Sequence, residues 1–141
     1  MTQDQITLVQ DSFRRVLPIK AEAAALFYGR LFELDPALRP LFAHADMAAQ
    51  GGKLMAALGF VVGSMRSPEP MLAALRALAV RHLAYGVEDA HYATVGAALL
   101  WTLEAGLGAD WTPALAAAWS EAYALVSAAM IAATHDAKAA A

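Results

Sequence analysis

Cysteine is absent from the 141 residues, which excludes disulfides, thiol catalysis and cysteine-ligated metal sites. That absence suits a reducing compartment, and a cytoplasmic location is the expectation. Charge is also sparse. Only 16% of residues are Asp, Glu, Lys or Arg, the formal net charge is −3, and no run is basic. A nucleic-acid or anionic-membrane partner is therefore not expected. The opening Met1-Thr2-Gln3-Asp4-Gln5 lacks the basic-then-apolar order of a signal peptide. The longest apolar stretches are amphipathic or broken by Gly, Ser and Arg, so none reads as a membrane span. Strand signals are scarce. Gly51-Gly52 follows no strand and cannot serve as a phosphate loop, and no Ser-His-Asp motif is visible.

What the chain has is apolar, helix-forming residues. Sixty per cent are hydrophobic, much of this alanine, which favours helix but buries little surface. Phe, Leu, Val, Met and Trp still suffice for a core, and the length suits a single domain, 1–141. Thr2 with Gln5 forms a capping-box pattern, and Ile6, Val9, Phe13 and Val16 make a helical stripe behind it. Leu17-Pro18 ends that helix. A second is predicted from about Pro18 to Leu34, with Leu26, Phe27, Leu31 and Leu34 inside. Asp35-Pro36 caps a short third one ending near Phe42, and Ala43 to Asp46 is a loop. Further helices are predicted over about Met47–Met65, from Ser67-Pro68 to Ala84 with Gly86 as its stop, and from an Asp89 cap to Leu107. The Asp89 helix carries Tyr92, Val95, Leu99 and Leu103 as its stripe. The last helix starts at Thr112-Pro113 and should bury Leu115, Trp119, Tyr123, Val126 and Met130. The pattern is all-α, with seven or eight helices of uneven length that do not suit a simple four-helix bundle.

Four histidines are present, at 44, 82, 91 and 135, and none is paired with another across one helix turn. His82 stands apart. It ends an amphipathic helix, with Leu78 one turn earlier on the same face. There, one ring nitrogen can donate to a carbonyl of the preceding turn while the other faces a metal. The residues alone allow a second state, a hydrogen-bonded core histidine. His44 reads as a solvated loop residue and His91 as pointing away from Tyr92's face. His135, near a helix C-terminus, reads as a cation favoured by the helix dipole. Trp101, Trp111 and Trp119 read as packing residues.

Four ordered segments carry a family resemblance. The first is Phe27-Tyr28-Gly29-Arg30-Leu31-Phe32 with Asp35-Pro36 and Pro40-Leu41-Phe42. The second is Gln50-Gly51-Gly52-Lys53-Leu54-Met55. The third is Arg81-His82-Leu83-Ala84-Tyr85-Gly86-Val87, continued by His91-Tyr92-Ala93-Thr94-Val95-Gly96 and Leu99-Leu100. The fourth is Ala118-Trp119-Ser120-Glu121-Ala122-Tyr123. Together they resemble the globin family, and within it the bacterial globins related to flavohaemoglobins.

The resemblance implies a globin fold around haem b, with His82 as the iron ligand. It implies that Phe42 wedges the haem and that Tyr28 and Gln50 form a polar pair facing a bound gas. Leu54 would be the apolar wall beside them, and Tyr92 would hydrogen-bond near His82. Leu78, Val87 and Val95 complete the implied cofactor contacts. The implied ligands are O2, NO and CO, with NO dioxygenation as the implied chemistry. Arg81 is implied either as a propionate partner or as a solvated residue.

Three departures stand out. The family pattern's glutamate late in the last helix falls on Thr134, which puts strong peroxide activation in doubt. No flavin or nicotinamide domain follows residue 141, so turnover is expected to need a separate reductase. Gly51 and Gly52 should loosen the helix start and make Gln50 mobile; Lys53 is a second candidate distal ligand, and the favoured reading leaves it in solvent or paired with a propionate. Gas sensing and a haem-free helical interaction domain are the alternative functions. Oligomeric state is not legible.

Overall fold

Thr2 starts the first helix because its side chain answers a helix end's unpaired N–H groups. Its hydroxyl accepts from the Gln5 N–H at 3.1 Å, and the Gln5 side chain accepts from the Thr2 N–H at 3.0 Å. The computed structural model describes residues 1–140; Ala141, the last residue of the expected domain, lies outside them. The described residues form six α-helices and three short 3₁₀ segments. These are α1 (Gln3–Val16), α2 (Lys20–Leu34), α3 (Met47–Gly63), α4 (Pro68–Ala84), α5 (His91–Leu107) and α6 (Pro113–Ala140), with 3₁₀ turns at Leu17–Ile19, Pro36–Phe42 and Gly108–Asp110.

Local chemistry accounts for most boundaries. All four stripe residues of α1 are buried. Pro18 sits in the tight turn that separates α1 from α2, so α2 begins at Lys20 instead of Pro18. Asp35 accepts from the Ala37 N–H at 3.1 Å and opens the Pro36–Phe42 turn. Asp46 accepts from the N–H groups of Ala48 (3.0 Å) and Ala49 (3.4 Å) and caps α3. Gly86 stops the chain after α4 with φ +88°, a conformation that needs glycine.

Several expectations need correction. In α2, Phe27 and Leu31 are buried, but Leu26 (37% exposed) and Leu34 (41%) face outward. α3 ends at Gly63, two residues early. Asp89 does not cap α5 through its side chain; its carboxylate instead meets His135 Nε2 at 2.6 Å. That contact also gives His135 a specific partner where a general dipole effect was expected.

α4 packs most extensively on α6, and α2 on α5, with α1 crossing α6 and α2 crossing α3. Trp119 of α6 donates its indole N–H to Ser12 Oγ at 2.9 Å, and that hydroxyl donates to the Val9 carbonyl at 3.0 Å. Every polar atom of this buried link is thereby paired. Trp101 differs from the packing role expected of it: it lies at the surface beneath the Arg30 guanidinium, 5.2 Å from the ring centre. By length and composition α6 could cross a membrane, contrary to the sequence reading, but its alanines account for this. Its Leu115, Ala118, Trp119, Ala122, Met130 and Thr134 are buried in the bundle.

Candidate functional site

The crossing helices leave a cavity of about 500 Å³ between α2, α3, α4, α5 and α6, within the size range of cofactor sites. Its wall is mostly apolar. All nine site residues singled out in the sequence line it: Tyr28, Phe42, Gln50, Leu54, Leu78, His82, Val87, Tyr92 and Val95.

His82 reaches the wall from the last turn of α4, where three and four residues separate side chains on one face. Its Nδ1 lies 2.7 Å from the Leu78 carbonyl oxygen. A carbonyl only accepts, so Nδ1 carries the proton and Nε2 is left as the ring's lone-pair nitrogen for the cavity. The helix itself therefore sets both tautomer and ring orientation. The Val87 N–H donates to the His82 carbonyl at 3.1 Å and ties the following corner to the same turn.

A second group comes from α2 and α3. Gln50 Nε2 donates to the Tyr28 hydroxyl at 3.2 Å. The phenol accepts this bond, so its own hydrogen remains free to donate. Burial pushes the Tyr28 pKa above the usual phenol value, with the Gln50 bond acting weakly the other way, so the donor proton is present at neutral pH. Phe42 packs edge-on against Tyr28 (5.4 Å between ring centres), and Phe27 does the same (5.0 Å). These aromatic contacts hold the phenol in place.

The third group is tyrosine-rich. Tyr123 donates to the Tyr92 carbonyl at 2.5 Å, and its ring lies where a side chain at Gly96 would stand. Burial, and secondarily Tyr92, push the Tyr123 pKa far above the phenol range. Burial also raises the pKa of Tyr92, against the influence of the adjacent Thr134 hydroxyl; the Asp89 carboxylate adds to the rise. Tyr92 and His82 both line the cavity, and no hydrogen bond joins their side chains directly.

The rim holds surprises. His44 is an exposed turn residue, as expected, and also borders the cavity; His91, expected to turn away, lines it too. His91 Nδ1 accepts from the Glu88 N–H at 2.9 Å, which fixes its ring at the start of α5. Lys53 lines the rim, and Arg81 does not. Tyr85, which drew no attention in the sequence, lines the cavity with its ring centre 6.4 Å from that of His82, and it is 64% exposed. Its position three residues after His82 was the available signal.

Gly51 also changes meaning. A Cβ there would lie 2.9 Å from Ala24 Cβ, inside carbon–carbon contact distance, whereas one at Gly52 would meet nothing. Gly51 is a crossing point of α2 and α3, not a weak spot. We expect Gly52→Ala to stabilise the fold by about 0.5–1 kcal/mol through helix propensity. Gly51→Ala should destabilise it by about 1–3 kcal/mol, because α3 must move off α2. Urea unfolding of the two variants checks this, and equal effects at both positions would contradict the crossing contact.

The apolar wall, one histidine with a committed Nδ1 and a free Nε2, and an aromatic-braced phenol define a class: a helical protein with a mostly apolar cavity of cofactor size. The globin family profile matches residues 25–130. The chain belongs to the globin family. It is 29% identical to the neuroglobin of Danio rerio over 136 residues, covering 87% of this chain and 86% of that one. It is 32% identical over 99 residues to the flavohemoprotein of Rhizobium meliloti (strain 1021), covering 69% of this chain but only 25% of that longer protein. Among solved structures it resembles an engineered carbene transferase described as a putative nitric oxide dioxygenase from Rhodothermus marinus. The TM-score is 0.88 at 28% identity, over 99% of this chain and 97% of that one. The family implies a haem, and the donor set and wall described above fit one.

Proposed function

We propose that this globin binds haem b through His82 and reversibly binds O2, NO and CO. With a separate reductase it would also convert NO and O2 to nitrate. The observation that carries this reading is the Nδ1 bond from His82 to the Leu78 carbonyl, which leaves Nε2 as the cavity's ligand nitrogen. Haem, when bound, supplies an iron that takes a diatomic gas and exchanges one electron. The chain does the rest. His82 orients and holds the iron from α4. Phe42, Leu54, Leu78, Val87 and Val95 exclude water from the ring's faces. Tyr28, braced by Phe27 and Phe42 and steadied by Gln50, would offer its O–H to a polar gas in the cavity. The net dioxygenation is NO + O2 + e⁻ → NO3⁻, so each turnover needs one electron from the partner. The relatives described as a flavohemoprotein and as a putative nitric oxide dioxygenase support this reading.

Absorption spectra of the purified protein in ferric, ferrous and CO-bound forms test the haem assignment. A haem band that shifts with each state is expected, and its absence after reconstitution with haem would end the reading. NO consumption with NADH and a flavin reductase then tests the dioxygenase step. Loss of NO at the rate of an equal amount of free haem would leave a gas carrier only.

A further inference from the structure

Among the described residues one tyrosine, Tyr85, is exposed. Its exposure is 64%, whereas Tyr28 (7%) and Tyr92 (8%) are buried and Tyr123 is half-buried. Tyr85 nevertheless lines the cavity. Its N–H is bonded to the carbonyls of Arg81 (3.2 Å) and His82 (3.1 Å), which fixes it at the end of the turn that carries the histidine. Its ring centre stands 6.4 Å from that of the imidazole, with the planes inclined by 58°. The phenol therefore reaches from the cofactor cavity to solvent.

A phenol gives up one electron readily only when its O–H proton can leave too, because a cation left in an apolar wall is costly. The inner tyrosines lack such an outlet. Tyr123 is hydrogen-bonded to the Tyr92 carbonyl at 2.5 Å, and a carbonyl is too weak a base to keep the proton. The Tyr28 oxygen receives a hydrogen from the Gln50 amide, which takes none away. Tyr85 can hand its proton to water. Other oxidisable side chains are worse placed. Cysteine is absent. Trp119 lines the cavity but is only 3% exposed. Trp101 does not line it, and the Arg30 guanidinium above its ring opposes removal of an electron.

We propose that Tyr85 is a redox modification site: hydrogen peroxide, acting through the haem, oxidises it by one electron, and two copies of the chain then join covalently through their Tyr85 rings. The inference rests on the haem reading above. Each phenol loses one electron and its O–H proton. A carbon–carbon bond then forms between the ring carbons beside the two oxygens, and the hydrogens those carbons carried restore the two O–H groups. The two electrons and two protons break the peroxide O–O bond, so that 2 Tyr–OH + H2O2 → dityrosine + 2 H2O. This is a single event per chain and needs no fast peroxide turnover.

The test treats the ferric, haem-loaded protein with one equivalent of hydrogen peroxide. We expect a covalent dimer with the mass of two chains less two hydrogens, dityrosine fluorescence, and a Tyr85–Tyr85 cross-link in peptide mass spectra. The dimer fraction should rise with protein concentration. Tyr85→Phe, first checked for the haem and CO-bound spectra of the parent, should lose the dimer and the fluorescence. Samples frozen soon after mixing should show a tyrosyl signal by electron paramagnetic resonance in the parent and lose it in the variant. A variant that dimerises like the parent, or a parent cross-link that maps to another residue, would overturn the proposal. So would a haem-loaded parent that consumes peroxide yet stays monomeric without a tyrosyl signal. Should Tyr85→Phe fail to take up haem, the cross-link map of the parent still decides the site. A parent without a haem spectrum fails the haem reading instead, so the two failures are distinct.

Discussion

His82→Gly should lose stable haem attachment, and free imidazole should restore it. His82 is the histidine whose Nδ1 is bonded within its own helix, leaving Nε2 for the cavity. Removing the ring would delete the proposed iron ligand and open a hole of imidazole shape beside Leu78. The surrounding apolar wall has no second base fixed in that manner: His44 and His91 sit at the rim, and His91 is committed to the Glu88 N–H. Because dense helix packing collapses only in part around a deleted ring, the hole should admit a small ligand. The expected result is a disturbed or weak haem spectrum in the variant. Millimolar imidazole should bring back the ferrous and CO-bound bands of the parent. An unaltered spectrum without imidazole would remove His82 from the iron.

Tyr28→Phe should speed O2 release on the order of ten- to a hundredfold and change CO release far less. The reason is the free phenol hydrogen. Gln50 donates into the Tyr28 oxygen, so the tyrosine O–H points its hydrogen elsewhere, and the cavity is what it faces. Hydrogen bonds to a charged acceptor contribute about 1.5–3 kcal/mol, and each 1.4 kcal/mol is about tenfold in a dissociation constant. O2 draws more charge from ferrous iron than CO does, so the loss should fall mainly on O2. Stopped-flow displacement of O2 by CO, and of CO by NO, measures both rates. Equal acceleration for the two gases would mean that the phenol acts by bulk alone. Gln50→Leu should have the smaller effect, because it removes the brace and leaves the donor.

Helix limits were largely legible because they are set by neighbours in sequence. Thr2 and Gln5 cap within three residues, Asp46 within two or three, and Pro18 and Gly86 act through their own backbone angles. The His82–Leu78 bond belongs to the same class: one helix turn brings the two groups together whatever the rest of the chain does. Spacing of three or four residues likewise put Leu54 with Gln50 on one face of α3.

Contacts between distant elements were decided by tertiary structure. Gly51 read as a loose spot until α2 crossed α3 and set Ala24 against it. Asp89 read as a cap, but α6 brings His135 within 2.6 Å of its carboxylate. Trp101 read as a packing residue, yet the α2–α5 packing leaves it at the surface, under Arg30. His91 read as turned away until the packing around the cavity placed it on the lining. The division follows from range. Caps, breakers and same-face pairs act within about one turn and are written in local order, whereas a crossing point depends on how whole helices pack, and no window of residues contains it.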